Sequence, residues 1–225
     1  MPIKIHHLYA RSNLDVMPVI EKAMPLLKGK SVCLVAPVQH SAKLEEVKAF
    51  LEKHGKTVKL HGQILGCSVP KEIPEDDILY VGTGEFHPKG IVITFNRDVV
   101  IADPMLNEAR VLSKESVTDV QKKRKAALVK FLSSDVIGVL ISTKSGQKTV
   151  QALLSAIFKL QEKFPDKQFY FFACATLDFQ ELENYPFIQA WINTMCPRIG
   201  QDDVVRTRKA LLNMEDINAV LSSKG

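Results

Sequence analysis

Two of the four cysteines stand where a thiolate could bind a metal or a cluster. Cys67 ends residues 62–67, in which two glycines allow the backbone to approach an inorganic cluster closely. Cys196 is followed by Pro197, which fixes the backbone, and by Arg198, whose charge would stabilise a thiolate. On these residues alone a semi-buried thiol in a turn is the favoured interpretation of Cys67, and a structural thiol is an equal alternative for Cys196.

The other two cysteines follow a different pattern. Cys33 lies between Val32 and Leu34 in an apolar run, which favours a small core residue. Cys174 comes at the end of another apolar run and is predicted to lie in the core or behind a site, with a place in the ligand crevice as the alternative. No CxxC pair occurs, and a structural disulfide is not expected in a reducing cytosol.

A glycine-containing loop offers a different kind of site. Gly82, Thr83 and Gly84 follow an apolar run, and backbone N–H groups in such a loop could hold a carboxylate or a phosphate. Glu85 and His87 would add an acceptor and a titratable donor. The segment is neither a P-loop nor a dinucleotide-binding motif, and a plain turn with a solvated histidine remains the alternative.

A polar loop between an apolar run and a helical pattern is the fourth candidate. Ser145, Gly146 and Gln147 would lie at the helix N-terminus, where free N–H groups and the helix dipole favour an anion. Simple capping of the helix by Ser145 explains the same residues equally well.

The elements that must position these residues alternate between strands and helices. Apolar runs of strand length predict strands over residues 3–9, 31–35, 78–81, 91–95, 99–101, 136–142, 168–173 and 187–193. Apolar residues at helical spacing predict helices over residues 13–27, 41–54, 114–133, 146–163, 202–211 and 214–221, with Ser41 as an N-cap. The pattern is typical of an α/β fold with parallel sheets flanked by helices.

The alternation restarts after a long, charge-rich helix near residue 134. We therefore expect two similar small α/β modules, residues 1–112 and residues 113–225, the second including the connecting helix. The net charge of +5 is mild, and solvated helix faces account for most of it. No motif supports direct nucleic-acid readout, although an acidic or RNA-bound partner stays open. The absence of a membrane-spanning run or signal pattern predicts a cytoplasmic protein.

Eight segments, in order along nearly the whole chain, resemble the diphthamide synthase family. The most specific are GQILGC at residues 62–67 and CPRIGQDD at residues 196–203. The others are residues 10–16, 38–40, 82–90, 103–104, 143–147 and 182–191.

The resemblance implies a non-classical radical enzyme that uses S-adenosylmethionine. Members of this family are built from three similar α/β modules, each of which contributes one cysteine to a central [4Fe–4S] cluster. Cleavage of the sulfonium at its Cγ–S bond yields a 3-amino-3-carboxypropyl radical. That group adds to a histidine of translation elongation factor 2, which is the first step of diphthamide biosynthesis.

By position, Cys67 matches the cysteine of the second module and Cys196 that of the third. The loops at residues 82–87 and 145–147 become candidates for holding S-adenosylmethionine, by their strand-end location rather than by the resemblance. The sequence begins about where the second module begins, so two of three cluster ligands are expected in this chain. A second polypeptide or a homodimer mate could supply the third, or Cys174 could replace it.

An electron donor is also implied by the resemblance. A different class of function stays open: a non-catalytic accessory or paralogous subunit that binds a partner protein without a cluster. A small-molecule-binding α/β protein that uses the loop at residues 82–87 is a weaker third possibility.

Overall fold

The computed structural model describes residues 10–65, 68–144, 150–201 and 203–217. The chain divides into two units, Met1–Val117 and Thr118–Gly225. Their correspondence to the second and third modules of the family stays a prediction. The strand predicted over residues 3–9 lies outside the described residues. In the part of the chain described, no helix combines the length and apolarity needed to cross a membrane.

The first unit is built on a five-stranded sheet with the order β2-β1-β3-β4-β5. Its strands are β1 (Ser31–Ala36), β2 (Thr57–Gln63), β3 (Asp77–Val81), β4 (Val99–Asp103) and β5 (Glu108–Leu112). The first four are parallel, and β5 pairs antiparallel with β4. The sequence analysis did not predict β2 or β5, because both are edge strands with few buried side chains and therefore lack a continuous apolar run.

Among the described residues of the first unit, three α-helices flank this sheet: α1 (Met17–Ala23), α2 (Leu44–Lys53) and α3 (Phe86–Phe95). Short 3-10 helices cover Met24–Leu26, Ser41–Lys43 and Lys114–Val117. The core on one sheet face joins α1 and α2 to Val32, Leu34 and Ala36 of β1. Since side chains alternate along a strand, Cys33 faces the other side, where it is fully buried outside this cluster.

The strand predicted over residues 91–95 is wrong, because these residues form the second half of α3. Ile91, Val92 and Ile93 are all buried, and three successive buried residues suit an interior helix as well as a buried strand. Asn96 ends the helix in the left-handed conformation, with φ of 52°. A short apolar run therefore could not distinguish a buried helix from a buried strand at these residues.

Ser41 is not an N-cap, contrary to the prediction. It begins a 3-10 turn, and its hydroxyl donates to the backbone oxygen of Val38 at 3.0 Å. The α-helix itself begins only at Leu44. The Ser41 hydroxyl therefore bonds to the preceding backbone and does not accept from a helix N–H group, as an N-cap would.

The second unit contains a four-stranded parallel sheet with the order β7-β6-β8-β9. Its strands are β6 (Val136–Ser142), β7 (Gln168–Cys174), β8 (Ala190–Asn193) and β9 (Leu211–Asn213). The helices are α4 (Thr118–Leu132), α5 (Val150–Lys163) and α6 (Pro197–Gln201), with 3-10 turns at Gln180–Asn184 and Asp203–Arg206. A sheet that is parallel except for β5 and a second sheet that is wholly parallel, both flanked by helices, confirm the predicted α/β fold class.

The helix predicted over residues 202–211 is wrong. Of the described residues 203–211, only the 3-10 turn Asp203–Arg206 is helical, and Leu211 already belongs to β9. The strand predicted over residues 187–193 is shorter and begins at Ala190. Residues 214–217 are helical as predicted, and the remainder of that helix lies outside the described residues.

Candidate functional site

Cys196 lies just beyond the carboxyl end of β8, directly before α6, and is half-buried. The loop that carries it is held by Asn193, the last residue of β8. Asn193 Nδ2 donates to the backbone oxygen of Cys196 at 2.9 Å, and Asn193 Oδ1 accepts from the backbone N–H of Met195 at 3.0 Å. One buried side chain therefore fixes the backbone on both sides of the cysteine.

Asn213, the last residue of β9, supports the same loop from the neighbouring strand. Its Oδ1 accepts from Asn193 Nδ2 at 2.7 Å, and its Nδ2 donates to the backbone oxygen of Pro197 at 2.7 Å. A Cβ on Gly200 would lie 2.3 Å from Asn213 Oδ1, so α6 can approach only with glycine there. The sequence analysis did not single out Asn213.

A cavity of about 550 Å³ opens beside Cys196. Its wall includes Lys144, Met195 and Cys196, which follow β6 and β8, and Ala175, which follows β7. The cavity therefore lies at the carboxyl ends of three adjacent parallel strands, where such sheets bind ligands. Its volume is in the range of small-molecule and cofactor sites.

The charges around this cavity favour an anionic occupant. Lys144 and Arg206 line it with positive charge, against one carboxylate from Asp178. Arg198 is 4% exposed and lies two residues after Cys196. A half-buried thiol beside two cations is a chemically suitable environment for an anionic iron–sulfur cluster and for a carboxylate.

Cys174 ends β7 at the same edge of the second sheet and is half-buried. Its sulfur lies 3.7 Å from the sulfur of Met195, the residue before Cys196. Burial raises the pKa of the Cys174 thiol, and the Glu181 carboxylate raises it further. The described residues therefore bring Cys174 into the neighbourhood of Cys196, and its role as a third ligand stays a prediction.

Cys67 lies outside the described residues, as does Gly66. The flanking residues Leu65 and Ser68 exchange two backbone hydrogen bonds, each of 3.1 Å. The predicted ligand role of Cys67 therefore stays a prediction. Ser145, Gly146 and Gln147 also lie outside the described residues, although the preceding Lys144 lines the cavity beside Cys196.

The loop at Gly82, Thr83 and Gly84 follows β3 and contacts Asp103, the last residue of β4. Thr83 donates to Asp103 Oδ1 at 2.9 Å, and the Gly84 N–H donates to Asp103 Oδ2 at 3.4 Å. The Gly82 N–H donates to the backbone oxygen of Ala102. The predicted donors of this loop therefore bind groups of the protein itself, including a carboxylate.

Asp103 is 1% exposed. Burial by itself raises the pKa of its carboxyl, but hydrogen bonds from Leu106, Thr83, Gly84 and Met105 outweigh that effect and hold the pKa below its usual value. The carboxylate is therefore ionised at neutral pH and adds negative charge to this edge of the first sheet.

Glu85 and His87 extend the same edge. Glu85 pairs with Lys89 at 3.2 Å and with Arg110 at 3.6 Å. His87 lies in the first turn of α3 with Phe86, and its Nδ1 lies 3.5 Å from the hydroxyl of Tyr80. Their predicted contact with S-adenosylmethionine stays a prediction.

The sequence analysis placed His40 in a segment that resembles the family, but it did not select His40 as a site residue at this edge. His40 follows β1, is 5% exposed, and has a pKa lowered by burial, which the charge of Asp103 partly offsets. The signal was present in the sequence, since His40 and Asp103 each come shortly after, or at the end of, an apolar run. The strand-end rule that selected Gly82 would have selected them as well.

A larger cavity of about 600 Å³ lies at the opposite edge of the second sheet, near the amino ends of β8 and β9. Its lining includes Lys123, Lys130, Arg208 and Lys209 but no cysteine or histidine. The cavity beside Cys196 combines a thiol, two cations and a strand-end location. It is therefore the better candidate site.

Several known proteins are similar to this chain. A 2-(3-amino-3-carboxypropyl)histidine synthase of Pyrococcus horikoshii is 27% identical over 98% of this chain and 67% of its own length. The protein of the same name from Methanocaldococcus jannaschii is 29% identical over 80% of this chain and 57% of its own length. Subunit 1 of the synthase from Nematostella vectensis is 24% identical over 98% of this chain and 49% of its own length. The chain thus spans about half to two thirds of these relatives.

Two solved structures share the fold. The crystal structure of Dph2 from Pyrococcus horikoshii superposes with a TM-score of 0.77 at 26% identity, covering 94% of this chain and 63% of that one. The crystal structure of the same protein with a 4Fe-4S cluster gives a TM-score of 0.76 at 24% identity, covering 94% and 64%. The family profile described as "Putative diphthamide synthesis protein" matches residues 1–225. The chain belongs to this family of diphthamide synthesis proteins.

Proposed function

We propose that this chain forms part of a 2-(3-amino-3-carboxypropyl)histidine synthase that acts in the cytoplasm. It would transfer the 3-amino-3-carboxypropyl group of S-adenosylmethionine to a histidine of translation elongation factor 2. The family match over residues 1–225 and the names of relatives at 27% and 29% identity support this. The complete activity would involve a second polypeptide or a homodimer mate that supplies the remaining cluster ligand.

The placement of Cys196 carries the proposal. Cys196 is half-buried, is oriented by Asn193, and lines a cavity that Lys144 and Arg206 also line. Cys196 and Cys67 would be ligands of a [4Fe–4S] cluster, the group that accompanies Dph2 from Pyrococcus horikoshii in one of its crystal structures. When bound, the cluster would supply the electron that cleaves the Cγ–S bond of S-adenosylmethionine.

The residues of this chain would then bind and orient. Asn193 and Asn213 fix the loop of Cys196, so the thiolate would need little reorganisation when it binds iron. Lys144 and Arg206 would neutralise thiolates and the carboxylate of the cosubstrate in a partly enclosed space. The third ligand would come from a cysteine of the partner, with Cys174 as the alternative within this chain.

Iron content after anaerobic reconstitution with iron and sulfide tests the ligand assignment. The chain is mixed with the polypeptide thought to complete the site, and Cys67→Ala and Cys196→Ala are each expected to lower bound iron and the visible absorbance of the cluster. Ser133→Ala, at an exposed position that neither proposal uses, is the control and should leave the iron content unchanged. Unchanged iron content in both the Cys67 and Cys196 variants would contradict the proposal.

Transfer of label from carboxyl-labelled S-adenosylmethionine to elongation factor 2 tests the reaction. Label is expected on the factor with the reconstituted complex and a reductant, and not with Cys196→Ala. If both cysteine variants retained activity within a stable complex, the chain would be a non-catalytic accessory subunit instead.

A further inference from the structure

Three side chains with metal-binding atoms converge within the first unit. The Cys33 thiol, the His61 imidazole and the Glu75 carboxylate each present a ligand atom, and these atoms all lie within 4.8 Å of one another. Cys33 is fully buried, Glu75 is 7% exposed, and the His61 side chain is 12% exposed. None of these residues belongs to the candidate cluster site.

The sheet brings two of the three together. Cys33 lies in the middle of β1, opposite Lys59 of the parallel strand β2. The register then shifts, because Leu34 pairs with Leu60 and Val35 with Gly62, which leaves His61 as the extra residue of a bulge. A bulge redirects a side chain, and here the His61 imidazole points to within 3.1 Å of Glu75.

Glu75 comes from the segment that joins β2 to β3, and this segment is held firmly. Arg97 donates to the backbone oxygens of Ile73, Glu75 and Asp76. The Asp76 carboxylate accepts from the backbone N–H groups of Lys30 and Ser31, at 3.0 and 2.9 Å. Glu75 is therefore fixed on both sides, as a preorganised ligand requires.

An ion pair is the ordinary explanation for this group. Glu75 lies 3.1 Å from His61 and 3.7 Å from Lys59, and these contacts compensate its buried charge. These ion pairs do not explain why the Cys33 thiol lies beside them, since a buried thiol adds little to an ion pair. The Lys59 side chain is 53% exposed, so it can withdraw into solvent when a cation takes its place.

We propose that Cys33, His61 and Glu75 form a binding site for a divalent metal ion of the zinc class. Sulfur, nitrogen and carboxylate oxygen are the donors that zinc takes in proteins. Tetrahedral coordination at usual bond lengths puts such donors roughly 3.3–3.6 Å apart. The three ligand atoms, which lie within 4.8 Å of one another, would therefore have to approach each other by about 1 Å. Binding releases the Cys33 thiol proton to solvent, and the thiolate becomes the ligand.

The fourth coordination position would face solvent. A cavity of about 350 Å³ is lined by His61, Lys59 and Gln63, with Ser68 and Glu72 on the connecting segment. Three protein ligands with one open position are typical of zinc sites that bind water or a substrate group, whereas closed structural sites use four protein ligands. The site would therefore take an exchangeable fourth ligand.

A cobalt titration of a full-length variant with one cysteine tests the proposal directly. The chain has four cysteines, so Cys67→Ser, Cys174→Ser and Cys196→Ser together leave only Cys33. Adding Co²⁺ is expected to produce a thiolate-to-cobalt charge-transfer band that saturates at one ion per chain and disappears when Zn²⁺ is added. Absence of that band in the folded variant would overturn the proposal.

Two matched pairs of variants locate the other ligands. Glu75→Gln is compared with Glu72→Gln, which changes a carboxylate of the same cavity, and His61→Gln with His54→Gln, which changes an exposed histidine. Zinc affinity is measured by competition with a chromophoric chelator. It should fall in Glu75→Gln and in His61→Gln but not in their control variants. The fall should exceed the roughly 10–100-fold loss that follows removal of an outer-shell partner. Equal affinity within each pair would refute the site.

Thermal unfolding distinguishes lost binding from lost folding. The variants should unfold cooperatively in the presence of a chelator, and Zn²⁺ should raise the unfolding temperature of the parent chain but not of Glu75→Gln. An equal rise in both would count against the proposed ligand set.

Discussion

Asn193 and Asn213 are bonded to each other inside the second unit, with Asn193 Nδ2 donating to Asn213 Oδ1 at 2.7 Å. Each is the last residue of its strand and each is 2% exposed. Together they bond to the backbone oxygens of Cys196 and Pro197. The position of the candidate cluster cysteine therefore depends on a pair of amides that come from two neighbouring strands.

Asn213→Ala should destabilise the second unit and loosen the Cys196 loop. It removes one acceptor of Asn193 and the donor to Pro197, and a buried polar group left unpaired costs about 1–3 kcal/mol. The free energy of unfolding in urea and the iron content after reconstitution should both fall. Asn184→Ala, at an exposed position, is the control and should stay within about 0.5 kcal/mol of the parent. Equal stability of the two variants would contradict this prediction.

Gly138→Ala should destabilise the second sheet through overpacking. A Cβ at this position of β6 would lie 2.5 Å from an aromatic carbon of Trp191 and 3.0 Å from Ile188. Trp191 is fully buried and cannot move without displacing its neighbours. A loss of about 1–3 kcal/mol in the free energy of unfolding is expected, and an unchanged thermal midpoint would show that the sheet relaxes instead.

Asp103→Asn should change how stability depends on pH. The pKa of Asp103 is lower in the folded chain than its usual value of 3.8, so the ionised carboxylate stabilises the fold above that value. This contribution is lost as the pH falls through the folded pKa. The difference in unfolding free energy between parent and variant should therefore be largest near neutral pH, at about 1–3 kcal/mol.

The same difference should shrink as the pH is lowered below about 4. Urea unfolding at several pH values measures it. Asp119→Asn, at an exposed position, is the control and should stay within about 0.5 kcal/mol of the parent. A difference for Asp103→Asn that does not vary with pH would contradict the assigned role of its charge.

Lys144→Gln and Arg206→Gln should each weaken binding of S-adenosylmethionine to the reconstituted complex. Both side chains line the cavity beside Cys196, and a partly enclosed cation facing a carboxylate contributes about 1 kcal/mol, or roughly fivefold in affinity. Calorimetric titration would measure the change. Lys159→Gln, on the exposed face of α5, should leave the affinity unchanged. Equal binding by all three variants would exclude this cavity as the cosubstrate site.

Local patterns identified the fold class, since long apolar runs such as residues 136–142 are read correctly from their period and length. They failed at residues 91–95, where a buried helix and a buried strand have the same composition. The strand-end rule also led to Cys196. It could not reveal Asn213, because Asn213 is 213 − 196 = 17 residues away from Cys196 along the chain and only sheet order makes them neighbours.

Cys33 illustrates the same limit. Its apolar neighbours Val32 and Leu34 predicted a core residue, and the thiol is indeed fully buried. Side-chain alternation, however, turns Cys33 to the sheet face where Lys59, His61 and Glu75 lie. A polar neighbourhood of this kind arises from strand pairing and a bulge, for which a single sequence carries no local signal.

The reversed direction of β5 determines the route by which the chain leaves the first sheet. Glu108 pairs with Asp103 at the carboxyl end of β4, and Leu112 pairs with Val99 at its amino end. The onward segment therefore starts from the edge opposite to the one that carries Gly82 and Asp103. The Gly82 loop and the point at which the polypeptide leaves β5 therefore lie at opposite ends of β4.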